Sequence, residues 1–352
     1  MSAALRPLIW LTATCLALHG VLASLAASLL LAAADGQTKP QTEAGPRYQL
    51  VELPLRPLSI SGSGWVAGIT SDRKAAIWSA SAGLVRIPLP PEFSFSESVS
   101  INSTGDAVGS ASTADASRRV AFLFHRGKVV LLPGEQSQAN CINEAGVIAG
   151  QAKLPGHKAV SPVLWRDGSL VDLKLCCAGT SRRINAQMLV AGDTYDLEGH
   201  YHAFLWDAAR GPRLIQVPGE EYSSALALND RGVAVVRVTP SGLFLYSESA
   251  IEPIIIPKGE PRSSSQEGAI VGSFGPHPEA QRAFLWDHAH GMQDLNALIP
   301  ANSGWTLEVA SAIDNQGEIV GWGDHGKIGN AGFLLRPLAE QPFIMRAPPF
   351  IF

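Results

Sequence analysis

The chain has 352 residues, of which 46% are hydrophobic and only 16% charged, with 34 Gly and 24 Pro. That is enough chain for one large core or several small ones, and so much Gly and Pro implies many turns. A balance of 27 Lys and Arg against 31 Asp and Glu, with no basic run, excludes an electrostatic case for nucleic acid or an anionic membrane surface as partner.

Residues 1–34 stand apart. Arg6 is their only charge, and Pro7 to Ala34 is apolar or small except for Thr12, Thr14, His19, Ser24 and Ser28. Ala32-Ala33-Ala34 before Asp35 supplies the small residues that a signal peptidase requires, so the stretch is an export signal. Left uncleaved, 7–34 is also long enough to anchor the chain in a bilayer, and this is the one membrane contact expected. Cys15 lies too early, after Thr12-Ala13-Thr14, for a lipoprotein signal. Either way, the rest is expected outside the cytoplasm, in the periplasm or cell envelope or beyond the cell. A polar linker, 35–47, follows.

From residue 48 one pattern recurs. Its clearest copies are Ile101-Asn102-Ser103-Thr104-Gly105-Asp106-Ala107-Val108-Gly109, Ile142-Asn143-Glu144-Ala145-Gly146-Val147-Ile148-Ala149-Gly150 and Ile313-Asp314-Asn315-Gln316-Gly317-Glu318-Ile319-Val320-Gly321. After each come a short variable loop and an apolar strand closed by an aromatic: Trp78, Phe124, Trp165, Trp206, Tyr246, Trp286, and finally Leu335. These are 40 to 49 residues apart, which marks seven copies of one unit. The first corner of the turn is held in order by Ser61, Asn102, Asn143, Asn185, Asn229, Ser265 and Asp314. A short polar side chain there accepts a hydrogen bond from the backbone two residues on, and Gly three residues later takes positive φ, so N-x-x-G is a hairpin turn. Met188 occupies the glycine place of one copy, whose turn is expected to be looser or built differently. Val236 replaces the glycine that ends the next strand in another.

Each unit supplies four short strands, as in one strand before Ser265 and others over Ala269 to Ser273, Arg282 to Trp286 and Met292 to Leu298. Four antiparallel strands per unit, apolar on both faces as in Ala121-Phe122-Leu123-Phe124, is the blade of a propeller. The fold expected over 48–338 is therefore all-β, a seven-bladed β-propeller. The last copy runs into Pro337 without a fourth strand, whereas Tyr48-Gln49-Leu50-Val51-Glu52-Leu53 precedes the first, so the N-terminal strand is expected to complete the last blade and close the ring. An open β-solenoid is the competing architecture. The tail, 339–352, carries Pro348-Pro349 and large apolar residues suited to packing under the ring or meeting a partner. After the leader only Cys141, Cys176 and Cys177 remain. They allow one bridge from Cys141 to either of the others or three free thiols, and with no His pair nearby they make a poor zinc site.

In these residues the chain resembles the HAF-type extracellular repeat proteins of bacteria, whose unit reads A-x-x-I-N-x-x-G-x-I-V-G, then H-A-F-L-W, then M-x-D-L. The naming tripeptide survives once, as His202-Ala203-Phe204 before Leu205-Trp206, with Arg282-Ala283-Phe284-Leu285-Trp286 and Asp294-Leu295 as close copies. The resemblance implies an exported repeat protein and carries no established activity, so no catalytic residue transfers. The histidine place otherwise holds Lys74, Val120, Ser161, Gly242, Arg282 and Ala331, so His202 is read as a strand-end hydrogen-bonding residue.

Loops between the second and third strands are expected on one face of the ring together with the blade-to-blade connections. They carry the candidate ligand-binding residues His157, Asp193, Asp196, His200, His277, Asp324 and His325, beside Tyr195 and Glu198, which in a ring can converge over the channel mouth. Asp193-x-x-Asp196-x-Glu198 is too loosely spaced for a calcium loop. His288-Ala289-His290 reads as an exposed turn. No G-x-S-x-G, H-E-x-x-H or phosphate loop occurs, and Ser61-Gly62-Ser63-Gly64 is a repeat turn rather than a nucleophile elbow. The sequence thus points to a non-enzymatic, cofactor-free binding scaffold for a protein, glycan or cell-envelope component. A polysaccharide hydrolase or lyase working from the channel mouth is the alternative.

Overall fold

The computed structural model describes residues 46–217, 221–277, 280–326 and 329–338. The leader over 1–34, most of the linker and the tail over 339–352 lie outside them. Among the described residues no helix is long and apolar enough to cross a membrane.

The chain forms seven four-stranded antiparallel sheets, each built from consecutive strands except the last. In chain order the blades cover 56–86, 95–131, 135–172, 179–214, 222–254, 259–294 and 305–337. The seventh takes its fourth strand from Tyr48–Leu53, which pairs with Gly329–Pro337 from Tyr48 opposite Pro337 to Leu53 opposite Gly332. First strands of neighbouring blades touch around the whole ring, the seventh meeting the first. The ring is closed, and the open solenoid is excluded.

Burial explains the closure. Second and third strands are buried on both faces, as in Ala107–Ser112, whereas fourth strands such as Lys128–Leu131 alternate toward solvent. No blade has a core of its own. Seven hydrophobic clusters lie between adjacent blades, such as Ala67, Ile77, Ala107 and Phe122 between blades 1 and 2. The closing strand serves two of them: Tyr48 and Leu50 enter the cluster between blades 6 and 7, Val51 and Leu53 the one between 7 and 1, as a period of two requires.

The turn residues do more than cap. Asn102, Asn143, Asn185 and Asn229 each accept the N–H groups two and four residues on, for example Ala145 N–H (3.1 Å) and Val147 N–H (2.9 Å) on Asn143 Oδ1. Their amides then donate across the blade boundary, Asn102 to Asn143 O (3.4 Å), Asn143 to Asn185 O (3.1 Å), Asn185 to Asn229 O (3.0 Å) and Asn229 to Ser265 O (3.4 Å). Ser61, Ser265 and Asp314 keep the acceptor without that amide. All seven corner residues are buried.

Two expectations are corrected. The Met188 turn is not looser: Met188 takes φ +64°, close to the +77° of Gly146 in the turn before it, and keeps the same bond to Asn185 O (3.2 Å). The fourth strand of blade 6 ends at Asp294, whose carboxylate accepts Asn296 N–H (2.9 Å) and starts a 3-10 turn over Leu295–Leu298. Of the two cysteine alternatives, the structure shows the free thiols: Cys141, Cys176 and Cys177 are unbridged.

Burial pushes the Asp314 carboxyl up from 3.8 to about 6, against the hydrogen bonds it accepts from Glu318 and Gln316. With the folded value above the unfolded one, the native state takes up a proton between these values, so stability rises as pH falls from about 6 toward 3.8 and is lowest, on this account, at neutral pH. Asp314→Asn, which installs the residue of four other blades, is expected to raise neutral-pH stability by about 1–3 kcal/mol and flatten that rise. Denaturant titrations across the pH range check this, and an unchanged slope refutes it. In the same assay Asn143→Ser is expected to cost about 1 kcal/mol for the lost cross-blade bond, and Asn143→Ala about 2–4 kcal/mol because the turn N–H groups are stranded as well.

Candidate functional site

The first strand of every blade runs along the central channel, and every one carries a β-bulge. Pairing with the second strand skips one residue between Pro57 and Ser59, Ser98 and Ser100, Ala139 and Cys141, Ser181 and Arg183, Ala225 and Ala227, Pro261 and Ser263, and Ala310 and Ala312. A bulge re-aims its extra side chain. The skipped residues are Leu58, Val99, Asn140, Arg182, Leu226, Arg262 and Ser311, and all seven line one cavity of about 600 Å³ in the channel.

The bulge has a partner in the glycine ending the second-strand motif. A Cβ on Gly68, Gly109, Gly150, Gly192, Gly272 or Gly321 would stand only 1.8–2.2 Å from a first-strand carbonyl oxygen, so the close approach needs glycine. Blade 5 keeps its bulge with Val236 in that place. The residue after this glycine also faces inward in two blades, adding Gln151 and Trp322 to the cavity wall, and Glu97, Gln138 and Thr180 extend it along the first strands.

The wall is lopsided in charge. Blades 4 and 6 contribute Arg182, Arg183 and Arg262, while the only carboxylate among the lining residues is Glu97. Arg182 is answered by a short ion pair with buried Asp193, which also accepts Ser224 Oγ–H (3.0 Å) and Ala225 N–H (2.9 Å). Arg183 reaches past blade 5 to donate to Arg262 O (2.9 Å). Arg262 and Arg56 both lie over the Trp322 ring, at 5.6 and 3.8 Å from its centre. Among the described residues no carboxylate stands within ion-pair distance of Arg56, Arg183 or Arg262. Burial pushes all three guanidinium groups below their ordinary values, and at Arg262 the charges of Arg56 and Arg183 add to it against Glu260. They remain protonated at neutral pH; Arg183 is half-buried while Arg56 and Arg262 keep contact with solvent, so these are channel cations without an ion-pair partner of their own among the described residues.

The residues expected at the mouth are dispersed among four blades, and none of the seven lines this cavity. His157, in blade 3, pairs with Ser161 Oγ (3.0 Å). Asp193 orients Arg182. Asp196 and His200 come together in blade 4, joined by His202, whose Nε2 lies 3.1 Å from Asp196 Oδ2. His277 is exposed beside blade 6. In blade 7, His325 stacks on Trp305 (4.8 Å, 10°) with Nδ1 3.3 Å from Glu52 of the closing strand, and Asp324 helps burial raise the nearby Glu308 carboxyl. His288 and His290 are held in their turn by Trp286 and Asp287. The seven bulge residues were missed by the sequence reading, although a signal existed: each stands three positions before its blade's polar corner residue.

No family model matches the chain, and no curated protein matches it by sequence. Solved structures match in fold. The β-propeller domain of the Trilobed protease from Pyrococcus furiosus superposes with a TM-score of 0.55 at 9% identity, covering 87% of this chain and 98% of that one. The WD40 β-propeller domain of Doa1 gives 0.54 at 13% identity over 82% and 96%, and virginiamycin B lyase from Staphylococcus aureus gives 0.52 at 12% over 83% and 99%. The Pyrococcus domain is described as an open velcro propeller, whereas here the N-terminal strand closes the ring. At such identities the likeness shows the fold alone.

Proposed function

We propose that this chain is an exported binding module of the HAF-type repeat class, which takes a carboxylate-bearing component of the cell envelope or its surroundings into the propeller channel. The observation that carries this is Arg183 and Arg262 on the cavity wall, joined by a hydrogen bond, with Arg56 sharing the Trp322 ring with Arg262 and no carboxylate among the described residues in ion-pair range of the three. Guanidinium forks match carboxylates in shape and charge, and a fork with no ion-pair partner of its own is free to take one from a ligand. Leu58, Val99 and Leu226 add apolar wall to the same cavity, so an anion with an apolar body suits it better than a bare inorganic ion. Its volume of about 600 Å³ suits one small ligand or the end of a chain.

Binding fits this wall better than glycoside hydrolysis, which needs two carboxylates about 5–9.5 Å apart, whereas Glu97 is the one carboxylate among the lining residues. Export is supported by the leader composition of 1–34, and the repeat class by the N-x-x-G turns with His202-Ala203-Phe204-Leu205-Trp206.

Titration calorimetry on the full chain with galacturonate and octanoate, against galactose and octanol, tests the proposal. At least one anion is expected to bind and its neutral counterpart not. Arg262→Ala and Arg183→Ala are each expected to weaken the anion about 10–100-fold, the loss of a charge-assisted bond, while His157→Ala leaves it unchanged. Failure of both anions to bind, or equal binding by the arginine variants, overturns it.

A further inference from the structure

Among the described residues, one group of His, Cys, Asp and Glu brings three donor atoms into ligating range, with Asp196, His200 and His202 donors all within 4.8 Å of one another. Asp196 and His200 lie on the loop joining the second and third strands of blade 4 and His202 at the start of the third, and none of them lines the channel cavity. Asp196-Leu197-Glu198-Gly199-His200 rebuilds the D-x-x-G turn: Asp196 N–H donates to His200 O (2.8 Å), Asp196 Oδ1 accepts His200 N–H (2.8 Å), and Gly199 takes φ +90°. The turn thereby occupies one carboxylate oxygen and leaves the other for the rings. His200 and His202 are two apart in extended chain, hence on one side of it. His200 Nδ1 then stands 3.2 Å and His202 Nε2 3.1 Å from Asp196 Oδ2. The His200 ring is braced edge-on against Tyr222 at 5.2 Å.

We propose that Asp196 Oδ2, His200 Nδ1 and His202 Nε2 bind a divalent transition ion of the Zn²⁺ type. Ligand bonds of about 2.0–2.1 Å in a tetrahedron place donor atoms about 3.3 Å apart, and two of the three edges already have that length. The third, between the two ring nitrogens, is within 4.8 Å, so a small tilt of the His200 ring against Tyr222 closes it. Two imidazoles with one carboxylate select zinc and its first-row neighbours over calcium and magnesium, which take oxygen ligands. Side-chain exposures of 28%, 47% and 21% for Asp196, His200 and His202 leave the fourth position open to water. The proposal is independent of the channel reading.

Zn²⁺ titration calorimetry and Co²⁺ absorption spectroscopy on the full chain test it. One Zn²⁺ per chain is expected, with Co²⁺ giving the visible bands of a nitrogen- and oxygen-ligated ion without a thiolate charge-transfer band. Asp196→Asn and His202→Ala are each expected to weaken Zn²⁺ at least about tenfold, and Cys176→Ser with Cys177→Ser to leave it intact. Thermal melts identify folded variants, and the more exposed His200→Gln serves where His202→Ala fails to fold. Absence of saturable Zn²⁺ binding, survival of binding in the folded ligand variants, or its loss with the cysteine pair each overturns the assignment.

Discussion

No blade of this protein can hide its own apolar surface, and every other feature of the fold follows from that. A four-stranded sheet has two faces, and here both are apolar through the second and third strands, so each must be covered by a neighbouring sheet. Seven clusters shared pairwise satisfy seven blades only when the last meets the first. The closing strand makes that meeting covalent in effect. Tyr48 and Leu53 lie in the clusters on opposite sides of blade 7, so removing the strand would expose both at once. The buried asparagine amides add a polar thread to the same seams, and a buried amide left without its partner carbonyl costs more than its bond contributes.

That constraint separates positions that cannot vary from positions that can. The turn corner must accept two N–H groups, and the strand-ending glycine must admit a carbonyl oxygen. The bulged residue between them has no such duty, because pairing skips it and it projects into the channel. A scaffold nearly uniform in its turns therefore presents a ring of seven side chains of five kinds, with Arg182 and Arg262 flanking Leu226 and with Leu58 and Val99 in two successive blades. The even repeat and the uneven channel have a single origin.

Most of the architecture was legible because the period of the repeat reflects burial and turn chemistry, which act locally. The blade count, the turn residues and the exchange of the N-terminal strand could all be read in this way. Met188 was misjudged because glycine is the cheapest residue at positive φ without being the only one, and the surrounding bonds hold a methionine there. The fourth strand of blade 6 was read too long because Leu295 and Leu298 are apolar in a 3-10 turn as they would be in a strand. The channel residues were hidden for a different reason: a bulge shifts the alternation by one, so a strict period of two assigns Arg182 and Arg262 to the wrong face. Histidines and carboxylates in loops drew attention by residue type, yet chemistry at a channel wall depends on register, which composition does not report.

Departures from the repeat are concentrated in blade 4, and this bears on how such a module acquires a site. It alone holds the methionine turn, the adjacent Arg182 and Arg183, Asp193 after the glycine, and the intact His202-Ala203-Phe204. Equivalent places after the glycine hold Ile69, Ser110, Gln151, Arg237, Ser273 and Trp322, so Asp193 belongs to a variable position rather than to the repeat. Its carboxylate fixes Arg182 while accepting Ser224 and Ala225 from blade 5, so one substitution both orients a channel cation and strengthens a seam. Arg183 extends the same blade across to Arg262, coupling blades 4 and 6 without a contribution from blade 5. A ring of equivalent units breaks its symmetry most economically by loading one unit, because the neighbours' cores already hold that unit in place.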